Sequence, residues 1–276
     1  MKTVIADSGS TRTEWVFADE NGVQTLSTAG INPVHMPAAE IESLLVKELH
    51  HPEEGVSAVY FYGAGCIPSR CGEVARVLRR FFGANEVAVE SDLLGAARGL
   101  LGRSPGIACI LGTGSNSGLY DGRAIVRNTR PLGYILGDEG SGADLGKRLL
   151  GNLLKGLLPD DLAEAFDKEY VLEYDEVIEK TYRQPGTNRF LAGFCPFLSQ
   201  RIEHPAVRKI VEEAFSAFVE RNLLAYEGVR ELPVSFTGSV AFHFREPLRK
   251  VLADHGLTAG KIERSPMEGL IQYHKP

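Results

Sequence analysis

The chain has no Cys-x-x-Cys pair, no block of Lys or Arg, and no purely apolar run longer than about five residues, Ile107 to Leu111 being one of them. Each absence excludes something. Runs that short cannot cross a bilayer. A formal net charge of −6 without a basic block disfavours nucleic acid or an anionic membrane as the main partner, because both require a basic footprint. The four cysteines (Cys66, Cys71, Cys109 and Cys195) lie at irregular spacings. Cys109 and Cys195 sit among apolar residues and read as small buried hydrophobes, and a metal contact at Cys66 and Cys71 is the lesser reading, since zinc ligands ordinarily come in tighter pairs. The N-terminal stretch reaches Asp7 before any signal-peptide core has formed, so a cytoplasmic protein is expected.

Several nucleotide and hydrolase signatures are also missing. Gly142-Ala-Asp-Leu-Gly146-Lys147-Arg148 is a residue short of a P-loop and lacks its magnesium-binding hydroxyl. Gly112-x-Gly114-x-x-x-Gly118 is not a dinucleotide fingerprint and precedes a strand rather than a helix. There is no Gly-x-Ser-x-Gly nucleophile elbow.

What is present is a soluble globular composition, 43% hydrophobic and 24% charged over 276 residues, enough for two ordinary domains. One plan occurs twice, about one hundred residues apart. The first copy is a strand ending in Asp7, a loop of Ser8, Gly9, Ser10, Thr11, Arg12 and Thr13, a second strand through Trp15-Val16-Phe17, the turn Glu20-Asn21-Gly22 and a third strand over 23–28. The second copy is a strand over 107–111, the loop Gly112-Thr113-Gly114-Ser115-Asn116, a strand over 118–120, the turn Asp121-Gly122 and a strand over 123–127.

Between them, helical spacing of Ile41, Leu44, Leu45 and Leu49 predicts a helix, followed by a strand over 56–62, a helix over 71–82, a strand over 87–89 and a helix over 93–101. Residues 102–106 read as a boundary. Residues 143–230 read as mostly helical, with the stripe Val207, Ile210, Val211, Ala214, Phe215 and Phe218 facing a core. A strand over 234–236 opens into Thr237-Gly238-Ser239, and a last helix starts near Met267.

A Gly/Ser/Thr hairpin turns backbone N–H groups inward and forms a concave anion site. A single such loop is as well explained by a hairpin with polar tips; two matching loops favour a clamp on a polyphosphate. Asp7, at a strand end, stands where a magnesium ion bridging phosphates needs a carboxylate. Asp92 reads either as a helix cap or as the group that orients an attacking hydroxyl, and a helix N-terminus favours its carboxylate form, making it a weak base. In Leu136-Gly137-Asp138-Glu139-Gly140-Ser141-Gly142, close approach to a ligand explains the glycine density better than capping does.

In this order, the motifs resemble the actin-like ATPase superfamily of sugar kinases, actin and heat-shock chaperone ATPases. Gly-Thr-Gly-Ser-Asn together with Gly-Asp-Glu-Gly-Ser-Gly is similar to its N-acetylglucosamine kinase branch, which also holds the ATPase activators of 2-hydroxyacyl-CoA dehydratases. The resemblance runs from Asp7 to Gly269. It implies an α/β, two-domain, ribonuclease H-like fold with duplicated mixed sheets and flanking helices. Residues 1–103 would form the first domain, joined by a final helix in 266–276 that Pro266 and Gly269 begin. Residues 104–265 would form the nucleotide domain, with a helical insertion near 143–230.

The resemblance further implies ATP and Mg²⁺, with Asp7 on the metal. Ser8, Gly9, Ser10, Thr11 and Thr13 would be one phosphate loop, and Gly112, Thr113, Gly114 and Ser115 the other. Thr237, Gly238 and Ser239 would lie against adenosine. Asp92 would be the catalytic base, and Asn32, Thr113 and Asp138 the contacts to an amino sugar. Here the sequence departs from the family in having a single Gly9 between serines and a reduced Asn32-Pro33-Val34-His35 stretch. The activity implied is ATP-dependent phosphorylation of N-acetylglucosamine or a related N-acetylhexosamine. A partner-driving ATPase would need an iron–sulfur cluster on dedicated cysteines, and no cysteine pair follows the second loop. A nucleotide- or sugar-binding regulator is the third reading. The expected partners are the sugar and ATP, with room for a homodimer.

Overall fold

The computed structural model describes residues 2–9, 11–20, 22–49 and 55–275. It divides into two units, one made of Met1–Pro105, Tyr120–Ile125 and Ser265–Pro276, the other of Gly106–Leu119 and Val126–Arg264.

In the first unit, β1 (Lys2–Ser8), β2 (Arg12–Asp19), β3 (Gly22–Ala29), β4 (Val56–Gly63) and β5 (Glu86–Ser91) form one sheet in the order β3-β2-β1-β4-β5. β1 is antiparallel to β2 and parallel to β4, and β4 is parallel to β5. A central strand is covered on both faces, which is why Val4, Ile5 and Ala6 form a continuous apolar run rather than an alternation. On one face Val4, Ala6, Trp15 and Phe17 pack with residues of α1 (Ala38–Glu48) and α2 (Pro68–Phe82). On the other, Ile5, Val16 and Tyr62 meet Met267 and Leu270 of the final helix.

Helix α2 begins three residues earlier than the apolar spacing predicts, because Pro68 occupies its first turn, where a missing N–H costs nothing. α3 (Asp92–Leu101) leaves the end of β5 directly.

The second sheet repeats the plan. β6 (Gly106–Leu111), β7 (Ser115–Tyr120), β8 (Ile125–Thr129), β9 (Val234–Thr237) and β10 (Ala259–Glu263) lie in the order β10-β9-β6-β7-β8, the first sheet's order with matching roles. β10 has no counterpart in the sequence reading; only Ile262 of its residues is buried, between exposed Lys261 and Glu263. β8 starts two residues later than expected. Asp121 Oδ1 accepts from the N–H groups of Arg123 and Ala124, both at 2.8 Å, and this lengthens the turn. The 120–125 turn belongs to the first unit, where Tyr120 Oη donates to the Gly102 carbonyl at 3.0 Å.

Helices fill the stretch between β8 and β9: α4 (Gly133–Leu136), α5 (Gly142–Leu154), α6 (Asp160–Glu169), α7 (Tyr174–Tyr182), α8 (Thr187–Ala192), α9 (Cys195–Gln200) and α10 (Pro205–Phe218), whose last turn widens into a π-helix over Val219–Leu223. The predicted stripe of α10 is buried in the unit's core. α11 (Ser239–His243) and α12 (Arg245–Asp254) follow β9, and α13 (Met267–Tyr273) returns to the first unit. Among the described residues no helix is long and apolar enough to cross a membrane.

Candidate functional site

In open α/β sheets the carboxyl ends of parallel strands are where ligands are met. In the first unit those ends carry Asp7 and Ser8 on β1, Gly63 on β4 and Ser91 on β5, with Asp92 opening α3.

The hydroxyls of Ser8 and Thr13 do not face outward. Both residues are fully buried, their Oγ atoms are 2.7 Å apart, Ser8 Oγ accepts the Ile31 N–H (2.9 Å), and Thr13 Oγ1 donates to the Ala29 carbonyl (3.0 Å). They fasten the loop to the strand-to-helix connection. Among the described residues the outward donor is therefore that of exposed Thr11, since the Gly9 N–H is taken by the Arg12 carbonyl. Ser10 lies outside the described residues.

Asp7 stands opposite Glu14 in the β1–β2 register. Burial raises the Asp7 carboxyl to about 7, and the charges of Asp92 and Glu14 add to the rise. Glu14 is the acid that sequence reasoning missed; the available signal was an acidic residue between the buried Thr13 and Trp15 of β2. Its Oε2 accepts from Ser265 Oγ at 2.8 Å, where the chain re-enters the first unit.

Ser91 caps α3, its Oγ accepting the Leu94 N–H at 3.2 Å, so Asp92 is not needed as the cap. Asp92 Oδ1 instead takes the Leu93 N–H (2.8 Å). The expected weak base is corrected here. Desolvation outweighs the helix N-terminus and lifts the Asp92 carboxyl to about 6, although the Leu93 N–H pulls the other way. Asn32 accepts the Val34 N–H through Oδ1 (3.0 Å) and packs against Gly65, where φ is +76° and any Cβ would enter the Asn32 amide.

In the second unit the loop after β6 is pinned to the start of α5. The Gly142 N–H donates to the Gly112 carbonyl (2.8 Å) and the Ala143 N–H to the Thr113 carbonyl (3.1 Å). Ser141 Oγ caps α5 by accepting the Asp144 N–H. Asp138 Oδ1 takes the Ser115 N–H (3.3 Å), and its carboxylate lies so near Gly114 that a Cβ there would be 2.9 Å from Oδ2. Asp138 is the one non-glycine residue with positive φ (58°) among the described residues. Burial holds its pKa above the ordinary carboxylate value. Strain of this kind persists where the surroundings over-determine it, commonly at ligand sites. Gly114 and Ser115 of this loop are thus together with Asp138, beside a small cavity of about 80 Å³ that Ser115, Asp138 and Glu139 help to line.

Thr237 ends β9 with its Oγ1 buried and without a hydrogen-bond partner. Gly238 (φ +114°) crosses the Leu111 carbonyl where no side chain fits. Ser239 and Val240 then open onto a cavity of about 310 Å³ walled by Ala192, Pro196, His243 and Phe244. It is mostly apolar with a few polar groups, the usual makeup of a small-molecule pocket.

Cys66 is buried, and burial pushes its thiol up to about 12. Among the described residues no three His, Cys, Asp or Glu side chains are grouped so as to hold a metal ion by themselves.

Among solved structures, the chain matches a putative N-acetylglucosamine kinase from Porphyromonas gingivalis at 49% identity and a TM-score of 0.95, covering 99% of this chain and 98% of that one. A putative N-acetylglucosamine kinase from Chromobacterium violaceum matches at 19% identity and a TM-score of 0.75, over 99% of each chain. A ROK family glucokinase from Streptomyces griseus, solved with glucose and AMPPNP, matches at 16% and 0.56, over 99% and 98%. The last two share the fold. No protein-family model and no curated protein matches the chain.

Proposed function

Because the chain belongs to the N-acetylglucosamine kinase branch of the actin-like ATPase and sugar kinase superfamily, we propose that it transfers the terminal phosphoryl group of ATP to a hydroxyl of N-acetylglucosamine or a related N-acetylhexosamine. One observation carries the assignment of chemistry: Asp92 is free of capping duty and holds a carboxyl near 6 at the carboxyl edge of the first sheet.

A base works best with a pKa near the operating pH. With its pKa near 6, Asp92 is ionised at neutral pH and still basic enough to accept the hydroxyl proton as the oxygen attacks phosphorus. The transition state is loose, so holding that oxygen in line contributes more than removing its proton. The sugar alkoxide then bonds to phosphorus as the bond to the ADP oxygen breaks.

A magnesium ion commonly takes one or two protein carboxylates and completes its shell with phosphate oxygens and water. The first unit fits that habit. Asp7 is a carboxylate at a strand end whose anionic form is disfavoured until a cation arrives. When bound, Mg²⁺ neutralises charge on the phosphates. Asp7 would hold it.

In the second unit the backbone N–H groups of Thr113 and Gly114 supply donors for phosphate, and in the first unit exposed Thr11 does. Thr237 Oγ1 and the cavity beside Ser239 are offered to adenosine; an orphaned buried hydroxyl next to an apolar pocket suits a ribose and a purine. Asn32 in one unit and Thr113 with Asp138 in the other each offer polar groups to the sugar.

The test is ADP release from Mg-ATP with N-acetylglucosamine, N-acetylmuramic acid, glucosamine or glucose, and with no sugar. Release that depends on an N-acetylated sugar supports the reading. Release indifferent to every sugar, or none at all, rejects it in favour of a partner-driving ATPase or a binding protein.

A further inference from the structure

The turn that carries Asp138 is supported from one side. Before it, Leu132, Ile135 and Leu136 around α4 are exposed, so packing there does not fix the Asp138 backbone. After it, Gly140 (φ +71°) is buried, and a Cβ on it would lie 3.1 Å from Phe218 and 3.2 Å from Phe215. Asp138 nevertheless holds a φ of 58°, a conformation disfavoured for a residue with a Cβ. Something downstream must hold it.

Helix α5 opens with Ser141 as its cap and Asp144 three residues on, the spacing of a capping box, in which the second side chain returns to the N–H of the cap residue. Here it does not. The Ser141 N–H is already given to the Asp138 carbonyl (3.1 Å), and Asp144 Oδ2 reaches one residue further back, to the Gly140 N–H (3.1 Å). The N–H groups of Gly140 and Ser141 are thus both spent on closing the turn. The Asp144 side chain is only 4% exposed, and its charge is met by Arg148 Nε on the same Oδ2 (3.0 Å) and by Lys147 Nζ at 3.4 Å from Oδ1. Burying a carboxylate is costly even when it is paired. A helix cap alone would not require it, because Ser141 Oγ already accepts the Asp144 N–H.

We propose that Asp144 is a positioning residue for the acceptor sugar: by holding the Gly140 N–H it fixes the turn that keeps Asp138 in its φ-positive conformation, with Asp138 Oδ1 on the Ser115 N–H. The inference rests on the kinase reading and on Asp138 as a sugar contact. The phosphate loop is fastened separately, by the N–H groups of Gly142 and Ala143 on the carbonyls of Gly112 and Thr113. Loss of the Asp144 carboxylate therefore acts on the sugar and spares ATP.

Two measurements test it. In wild type the Gly140 amide proton, followed by NMR, should exchange at least about 100-fold more slowly than an unstructured glycine amide. Exchange at the unstructured rate overturns the proposal whatever the variants do. Steady-state kinetics then compare Asp144→Ala with Asp144→Asn. A single oxygen, Oδ2, serves both Gly140 and Arg148, so an asparagine amide oxygen can replace it, while its nitrogen faces Lys147, whose half-exposed side chain can swing away. Asp144→Ala is expected to raise the KM for sugar about 10-fold or more, with the KM for ATP within about twofold of wild type. Asp144→Asn should return the sugar KM to within about threefold of wild type. A purely structural carboxylate would lower the melting temperature and leave both KM values of the folded variants unchanged; that result overturns the proposal. Equal impairment of the sugar KM in both variants assigns the effect to the lost charge and overturns it as well. Asp138→Ala separates the proposal from the reading beneath it. A wild-type sugar KM in Asp138→Ala removes Asp138 as a sugar contact, and both fall; a raised one beside an unchanged Asp144→Ala overturns the proposal alone.

Discussion

Gly269 on α13 lies backbone to backbone against Gly99 on α3. A Cβ built on Gly269 would enter the Gly99 carbonyl oxygen, and one on Gly99 would enter the Pro266 carbonyl. Beside this crossing, Tyr62 Oη is 2.8 Å from His274 Nε2 and accepts from Arg98 at 3.0 Å, and the His274 ring stacks on Tyr60 with centroids 3.7 Å apart. The C-terminal helix is thus locked to the helix that opens with Asp92.

Gly269→Ala is expected to destabilise the first unit by about 1–3 kcal/mol, because the obstructing atoms are backbone and neither helix can yield without moving the other. Gly151→Ala is the control. It sits in α5 with nothing within 4 Å of a built Cβ, so it should gain up to about 1 kcal/mol from helix propensity. Urea unfolding of the two variants measures both; equal effects would contradict the tight crossing.

His274 carries a prediction about acid. Burial first, and then the Arg98 charge, lower its pKa from 6.5 to about 4. The unfolded chain takes up a proton below 6.5 while the folded one does not until about 4, so this stability is present above the unfolded pKa and is lost as pH falls across that window. His274→Phe keeps the ring and removes the titration. Its melting temperature should fall less than that of wild type between pH 7 and pH 4.5.

Asp7 has the opposite sign. Its folded pKa of about 7 lies above the ordinary carboxyl value of 3.8, so the folded state holds the proton more tightly and stability falls as pH rises from about 4 through 7. Without divalent cations, Asp7→Asn should melt above wild type at pH 8 and level with it near pH 4. Added Mg-ATP should raise the wild-type melting temperature more than that of the variant.

Asp92→Asn should lower kcat by about 10²–10⁴-fold and leave the KM for ATP nearly unchanged, as loss of a transition-state interaction does. In wild type, kcat/KM should rise with pH through about 6 and then level; the variant should show no such limb. Steady-state kinetics over pH 5–8 decides it, and retained turnover would remove Asp92 from the reaction.

Much of the architecture was legible in one dimension. The repeat of strand, hydroxyl-rich loop, strand, turn and strand prefigures the two sheets of matching order, because alternation and glycine placement are local consequences of backbone geometry. The stripe on α10 was legible for the same reason. β10 was not, since a strand with one buried residue has almost no alternation to display. Nor was the division of labour between Ser91 and Asp92, where two adjacent residues could each have capped the helix.

The residue types at the site, their order and the loops that carry them were settled by the sequence itself. Which hydroxyls are spent inward and which carboxyls resist ionisation was decided by tertiary structure. Ser8 meets Ile31, Glu14 meets Ser265 at a separation of 251 residues, and Tyr62 meets His274 at 212. A hydrogen-bond partner and a local dielectric are properties of whatever chain arrives opposite, and that is fixed only when distant segments pack.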